Sequence, residues 1–260
     1  MVNAGNADSV GPTAATAATG PGSRTLGRGI AVLYALAGSP DGATVAALAE
    51  TTGLDRAVLY RLLGTLTDSG FVVRDAGTRR YRLGAALIEL GAAAADGLEV
   101  RRHARPKMRA LVEQVREMVC LAVRDRSDIV IVDRFNPPGP KLKIGYHVGV
   151  RHPLDVGALG RALLDAHNGA GPDAEPPADR ARGFTIVTGD VVSVAAPIYS
   201  ADGQGVASVG VVAPAQRIQD PTVLGPPVRS LSREVSRALG FDVPDPPAAT
   251  SALRRRSART

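Results

Sequence analysis

Residues 44–83 read TVAALAETTGLDRAVLYRLLGTLTDSGFVVRDAGTRRYRL. Their spacing predicts a short helix, a tight turn, a second helix and a β-hairpin with a basic tip. Thr44 can cap the first helix, because a side-chain oxygen at that position satisfies one of the N–H groups a helix start leaves unpaired. Val45, Leu48 and Ala49 then fall on one face. Gly53 ends this helix, since glycine enters the left-handed region without a Cβ penalty. Asp55 starts the next, where negative charge suits the helix dipole. Along it Leu54, Val58, Leu59, Leu62, Leu63 and Leu66 recur at helical spacing and bury one face. Arg56, Ala57, Tyr60, Arg61, Gly64 and Thr65 are left on the other. Gly70 stops the helix. Phe71–Val73 and Tyr81–Leu83 flank residues 76–80 as two short strands and a turn, with Thr78, Arg79 and Arg80 at the tip. An amphipathic helix pair alone equally describes a small bundle with solvated arginines. The basic hairpin decides for a winged helix-turn-helix, which lays its second helix in the major groove of double-stranded DNA.

Outward from this stretch, Leu26, Ile30, Leu33 and Leu36 mark a preceding helix over residues 25–37, closed by the turn residues Ser39-Pro40-Asp41-Gly42. Residues 1–23 are rich in Ala, Gly, Thr and Pro and cannot bury enough surface to offset ordering, so they are predicted to be disordered. A net charge of +6 and a pI near 10.0 suit a polyanionic partner. Arg254, Arg255, Arg256 and Arg259 are assigned to a solvated, disordered tail over 241–260. A chain of 260 residues has room for two domains. It has no apolar run long enough to cross a bilayer, and no signal peptide is recognised ahead of the fold, which predicts a cytoplasmic protein. The single cysteine, Cys120, excludes an internal disulfide framework and reads as a packed thiol.

Residues 85–97, alanine-rich, read as a helix connecting two domains. Residues 98–118 read as a longer helix with Val100, Ala104, Met108, Leu111 and Val115 as its apolar stripe and Arg101 to Arg109 as its solvated face. From 119 the pattern turns to strands: 119–124 and 129–135 about a turn at 125–128, another around 141–145, and 192–200 with 206–212 about Ala201-Asp202-Gly203-Gln204-Gly205. Helices are predicted over 156–167 and 222–239, and a loop or frayed helix over 168–179. This second domain, 98–240, is expected to hold an antiparallel or mixed sheet with helices on one side or both, so the chain is α+β. No enzyme is indicated. No nucleophile elbow, P-loop or dinucleotide fingerprint occurs. His103, His147, His152 and His167 are scattered without metal-ligand spacing, so neither metal nor cofactor is expected.

These segments resemble the IclR family of transcriptional regulators. The resemblance spans about residues 25–239 and rests on Thr25-Leu26-Gly27-Arg28-Gly29-Ile30, Arg61-Leu62-Leu63, Thr65-Leu66, Gly70-Phe71-Val72 and Arg80-Tyr81-Arg82-Leu83-Gly84. In the second half it rests on residues 148–154 (VGVRHPL), 158–164 (ALGRALL), Arg182-Gly183-Phe184, Val194-Ala195-Ala196-Pro197 and Ser208-Val209-Gly210-Val211. Each motif is weak alone, and their order across both halves makes the assignment. The family likeness implies a winged helix-turn-helix domain over 24–84, a linker helix over 85–97 and a GAF-like effector-binding and oligomerisation domain over 98–240. It further implies homo-oligomers, dimers or tetramers, on pseudo-palindromic operators, modulated by a small metabolite. Arg28 and Arg61 match basic positions of the family motif and are expected phosphate contacts. Arg56, Ala57, Tyr60 and Thr65 are placed at bases or backbone, and Thr78, Arg79 and Arg80 at the wing tip. Where the family often carries Ser or Thr, this chain has Ala57 and Val58, which shifts the expected contacts toward Arg56, Tyr60 and Arg61. The effector pocket is expected along the concave side of the sheet, lined by Val148, Gly157, Ala158, Ser193, Ala195, Ser208 and Gly210, with Asp190 at its mouth. The segments between Leu164 and Gly183 and between Phe184 and Ala195 are shorter than is usual for the family. Two readings therefore stand: an effector-controlled regulator, or a DNA-binding dimer with a degenerate, ligand-free C-terminal domain. An enzyme or pure sensor ranks below both.

Overall fold

The structure is a computed structural model that describes residues 22–139, 146–167 and 182–243. The strand expected around 141–145, the loop over 168–179 and nearly all of both tails lie outside those residues. The chain divides into two compact units, 1–97 and 98–260.

In the first unit, α1 (Arg24–Ala37), α2 (Val45–Thr52) and α3 (Arg56–Asp68) precede the antiparallel strands β1 (Val72–Arg74) and β2 (Tyr81–Leu83) and a fourth helix, α4 (Ala86–Asp96). The local chemistry follows the residues. The Thr44 hydroxyl accepts the Ala47 N–H at 3.2 Å, and Ser23 does the same for Leu26 at 3.3 Å. Gly53 takes φ 67° with its N–H on the Ala49 carbonyl. Asp55 occupies the cap position of α3, but its side chain makes no capping bond. Leu59 and Leu63 of α3 meet Val32 and Leu36 of α1, Leu48 of α2 and Val72 and Tyr81 of the hairpin in one core. Each such fully buried leucine contributes about 1.5–3 kcal/mol. The reading from sequence had no partner for Ala43. Its N–H and carbonyl both bond Tyr81 at 2.9 Å, so the turn before α2 is tied to the two-stranded hairpin by an isolated β-bridge.

The second unit is a six-stranded antiparallel sheet with helices on both faces. Its strands are β3 (Met118–Asp125), β4 (Asp128–Phe135), β5 (Arg151–Pro153), β6 (Thr185–Val187), β7 (Val191–Tyr199) and β8 (Gly205–Pro214), in the spatial order β5-β4-β3-β8-β7-β6. On one face α5 (Glu99–Val115) and the last helix, α7 (Gly225–Ala238), cover Val119, Leu121, Val194, Ala196, Val209 and Val211. On the other, α6 (Gly157–His167) covers Met118, Cys120, Ala122, Ile131, Ala195 and Val212. The alternation of partners is that of a sheet buried on both sides.

Three expectations need correction. The long helix stops at Val115 rather than Met118, because Arg116 turns left-handed (φ 57°) and Met118 begins β3. The strands β5 and β6 were not anticipated. The arginines of α5 are not simply a solvated face. Arg101 Nε faces Asp133 Oδ2 on β4 at 3.0 Å, Arg105 reaches the same oxygen at 3.4 Å, and Arg105 and Arg109 lie over the Phe135 ring. A carboxylate on an inner strand has drawn the cations inward.

Candidate nucleic-acid interface and the sheet face under α6

The first unit holds α3 by its apolar side and leaves Arg56, Ala57, Tyr60, Arg61, Gly64 and Thr65 exposed together along the other. Tyr60 is 57% exposed, a large aromatic surface that the unit itself does not use. The Thr65 hydroxyl donates back to the Arg61 carbonyl at 3.2 Å, which costs it little as an acceptor. Arg28 is exposed on α1, next in sequence to the buried Gly29. An added Cβ on Gly29 would lie 4.0 Å from Leu62, ordinary contact for the α1–α3 crossing.

The wing is braced from within. Asp75 Oδ1 accepts both the backbone N–H (2.7 Å) and the hydroxyl (2.8 Å) of Thr78, and those bonds hold its carboxyl below the usual carboxylate range. Arg79 takes a left-handed conformation (φ 55°) at the exposed tip. Arg80, expected at the wing tip, donates Nη1 to the Gly42 carbonyl at 2.8 Å and ties the wing to the turn between α1 and α2. Its guanidinium positions the hairpin, whereas Arg79 joins the bracing only through its backbone N–H, which donates to the Asp75 carbonyl at 2.9 Å. Composition could not separate these two adjacent arginines, since only the fold of Gly42 onto β2 distinguishes them.

In the second unit the expected pocket residues divide. Ser193, Ala195, Ser208 and Gly210 share the sheet face under α6 by register, and all are buried. The Ser193 hydroxyl accepts the Ala158 N–H at 3.2 Å, which fixes the start of α6 on β7. Gly157 (φ 68°) sits where a Cβ would come within 2.9 Å of the Tyr146 hydroxyl. Asp190 is exposed in the β6–β7 turn. Val148 departs from expectation: it is 58% exposed, because the turn closed by the Val150 N–H on the His147 carbonyl points it outward.

The same face carries groups that the sequence reading did not select. Arg134 of β4 lies opposite Cys120 and donates Nη1 to the Tyr146 carbonyl at 2.9 Å. The Tyr146 and His152 rings pack with centroids 5.0 Å apart. Cys120 is fully buried, and desolvation pushes its thiol pKa up to about 12. Native protein at pH 8 should therefore resist iodoacetamide for hours and react only after denaturation, as mass spectrometry would record. Rapid native labelling would contradict this packing. Among the described residues no group of histidine, cysteine, aspartate and glutamate side chains is arranged to hold a metal. No helix among them is long and apolar enough to cross a membrane.

The IclR helix-turn-helix domain matches residues 25–76, and the C-terminal domain of the bacterial IclR transcriptional regulators matches residues 92–173, stopping short of β6–β8. The chain is 30% identical to the glycerol operon regulatory protein of Streptomyces coelicolor, over 84% of this chain and 96% of that protein. It is 32% identical to the transcriptional regulator KipR of Bacillus subtilis, over 46% of this chain and about half (48%) of that relative. Among solved structures, an IclR homologue from Microbacterium hydrocarbonoxydans complexed with 4-hydroxybenzoate shares the fold at a TM-score of 0.66 and 23% identity, covering 83% of this chain and 98% of its own. The chain belongs to the IclR family, and it is a DNA-binding transcriptional regulator rather than an enzyme.

Proposed function

We propose that this regulator grips a pseudo-palindromic operator as a homodimer or tetramer, in the cytoplasm, under the control of a small metabolite. In this reading residues 24–84 bind DNA, 85–97 link the units, and 98–240 form a GAF-like domain for effector binding and oligomerisation. The observation that carries it is the exposed polar face of α3 beside a wing braced by Asp75 and Arg80. Arg28, Arg56 and Arg61 are placed at phosphates or base edges, Tyr60 and Thr65 at bases or backbone, and Arg79 at a phosphate beside the wing.

Arg61→Ala should weaken operator binding by about 1–3 kcal/mol, the range for a close charge-assisted contact. Arg79→Ala should weaken specific and non-specific DNA alike and flatten the salt dependence. Mobility-shift titrations at several salt concentrations measure both. A folded Arg61→Ala protein with unchanged affinity would strike that residue from the interface.

Pairing of subunits is supported by apolar surface that the first unit leaves uncovered. Ile88 is 76% exposed and Leu90 54% on α4, and Leu26 is 64% exposed on α1. One winged helix reads few base pairs, so useful specificity calls for two half-sites. Sedimentation at micromolar concentration should show a dimer or larger species, and a strict monomer that still bound its operator tightly would sink this part of the reading. Effector control draws support from the ligand-bound fold relative and from the polar groups under α6.

A further inference from the structure

Inside an α-helix glycine destabilises relative to alanine, so an interior glycine calls for a cause. In the first unit Gly27, Gly64 and Gly91 stand inside helices with nothing within 4 Å of a Cβ added to them. None of them has a positive φ. Packing and backbone geometry within the unit therefore explain none of them. Gly27 and Gly91 stand on the helices that carry the exposed Leu26, Ile30, Ile88 and Leu90. Gly64 stands on the polar face of α3. Ala57, Tyr60 and Gly64 follow one another at helical spacing, so they form a line along that face, and all three are exposed. The line presents a methyl group, a ring and bare backbone. Arg56 flanks it on one side, and Arg61 and Thr65 on the other, where the Thr65 hydroxyl turns back onto the Arg61 carbonyl.

We infer that Gly64 is a notch in α3 where a base edge of the operator comes against the helix backbone, and that the group it admits is the 5-methyl of a thymine. The inference rests on the reading that α3 lies in the major groove, and it adds a specificity-determining position to that reading. A missing side chain lets DNA approach more closely than a Cβ allows, and that contact offsets the stability lost in the free helix. Helix bonding occupies the backbone N–H and carbonyl groups of the line, and the Tyr60 hydroxyl is its only other polar group. The apolar group of the major groove is the thymine methyl. A phosphate does not suit the notch, because no residue of the line carries a positive charge. Arg56 and Arg61, to either side, remain for phosphates or polar base edges.

The experiment uses the full chain and a duplex enriched from a random library on wild-type protein, titrated by mobility shift. Gly64→Ala should melt a few degrees above wild type. It should nevertheless bind this duplex about tenfold more weakly, and Gly64→Leu about a hundredfold, the range for wedging methyl groups into a packed contact. Affinity for non-specific DNA and its salt dependence should stay at wild-type values, because the phosphate contacts are intact. Thymine-to-uracil replacement removes only the methyl, and at one thymine of the half-site it should weaken wild-type binding about fourfold, the effect of one buried methyl. The same uracil duplex should bind Gly64→Ala more tightly than the thymine duplex does, since the colliding methyl is gone. A folded Gly64→Ala protein with wild-type affinity overturns the notch. If Arg56→Ala and Arg61→Ala also bind as wild type does, the placement of α3 falls with it, and if they lose affinity that placement stands. Uracil duplexes that bind both proteins no differently from the thymine duplex overturn the thymine assignment.

Discussion

Asp133→Ala is expected to cost the C-terminal unit about 3–5 kcal/mol, the range for removing one member of a buried ion pair. Asp133 is 6% exposed, and one of its oxygens faces Arg101 and Arg105 while the other accepts the Arg134 N–H at 2.9 Å. Its loss removes the carboxylate that the Arg101 guanidinium, with a side chain only 16% exposed, faces at 3.0 Å. Urea unfolding followed by circular dichroism would measure the effect. Asp133→Leu combined with Arg101→Met should recover part of the loss, because both charges of the pair are then replaced by apolar side chains. A single Asp133→Ala variant within about 1 kcal/mol of wild type would mean that the pairs contribute no more than surface ion pairs do.

Gly84→Ala is expected to be comparably damaging to the first unit. A Cβ at Gly84 would lie 2.1 Å from the Gly70 carbonyl oxygen and 2.9 Å from its carbon, and neither is the far end of a flexible side chain. The approach is locked by hydrogen bonds: Gly84 N–H to the Phe71 carbonyl at 2.7 Å and Ala86 N–H to the Gly70 carbonyl at 3.3 Å. Relief requires the end of α3 to part from β2, so the cost should reach or exceed the upper end of the roughly 1–3 kcal/mol typical of overpacking. Operator binding should fail with it, since α3 and the wing are positioned through this junction. Gly91→Ala is the control. Gly91 stands inside α4 with nothing near its missing Cβ, so the change should stabilise by about 0.5–1 kcal/mol. If Gly84→Ala melted at the wild-type temperature, the junction would be looser than its distances indicate.

These two residues show where sequence reading reaches and where it stops. Gly84 was visible as part of a family-like motif, but nothing local says that its neighbour is the backbone of Gly70. Asp133 sits in the strand-like run Ile129–Phe135, and its partners stand 28 and 32 residues earlier on a helix whose arginines look solvated on a wheel.

What the residues determined by themselves is local. The two faces of α3 follow from positions three and four apart, so Leu59 and Leu63 are buried and Arg56, Tyr60 and Arg61 exposed as the spacing requires. The cap at Thr44, the left-handed Gly53 and the turns at 75–80 and 200–204 are also short-range chemistry, legible without tertiary knowledge. Tertiary structure decided everything that depends on pairing across the chain. The strands β5 and β6 are three residues each, too short for periodicity to register, and exist because longer strands offer them edges. The Arg80 side chain braces the wing where that of Arg79 does not, because Gly42 folds against β2. Arg134, Tyr146 and His152 meet only once β4 and β5 pair, through hydrogen bonds between segments that no local pattern relates.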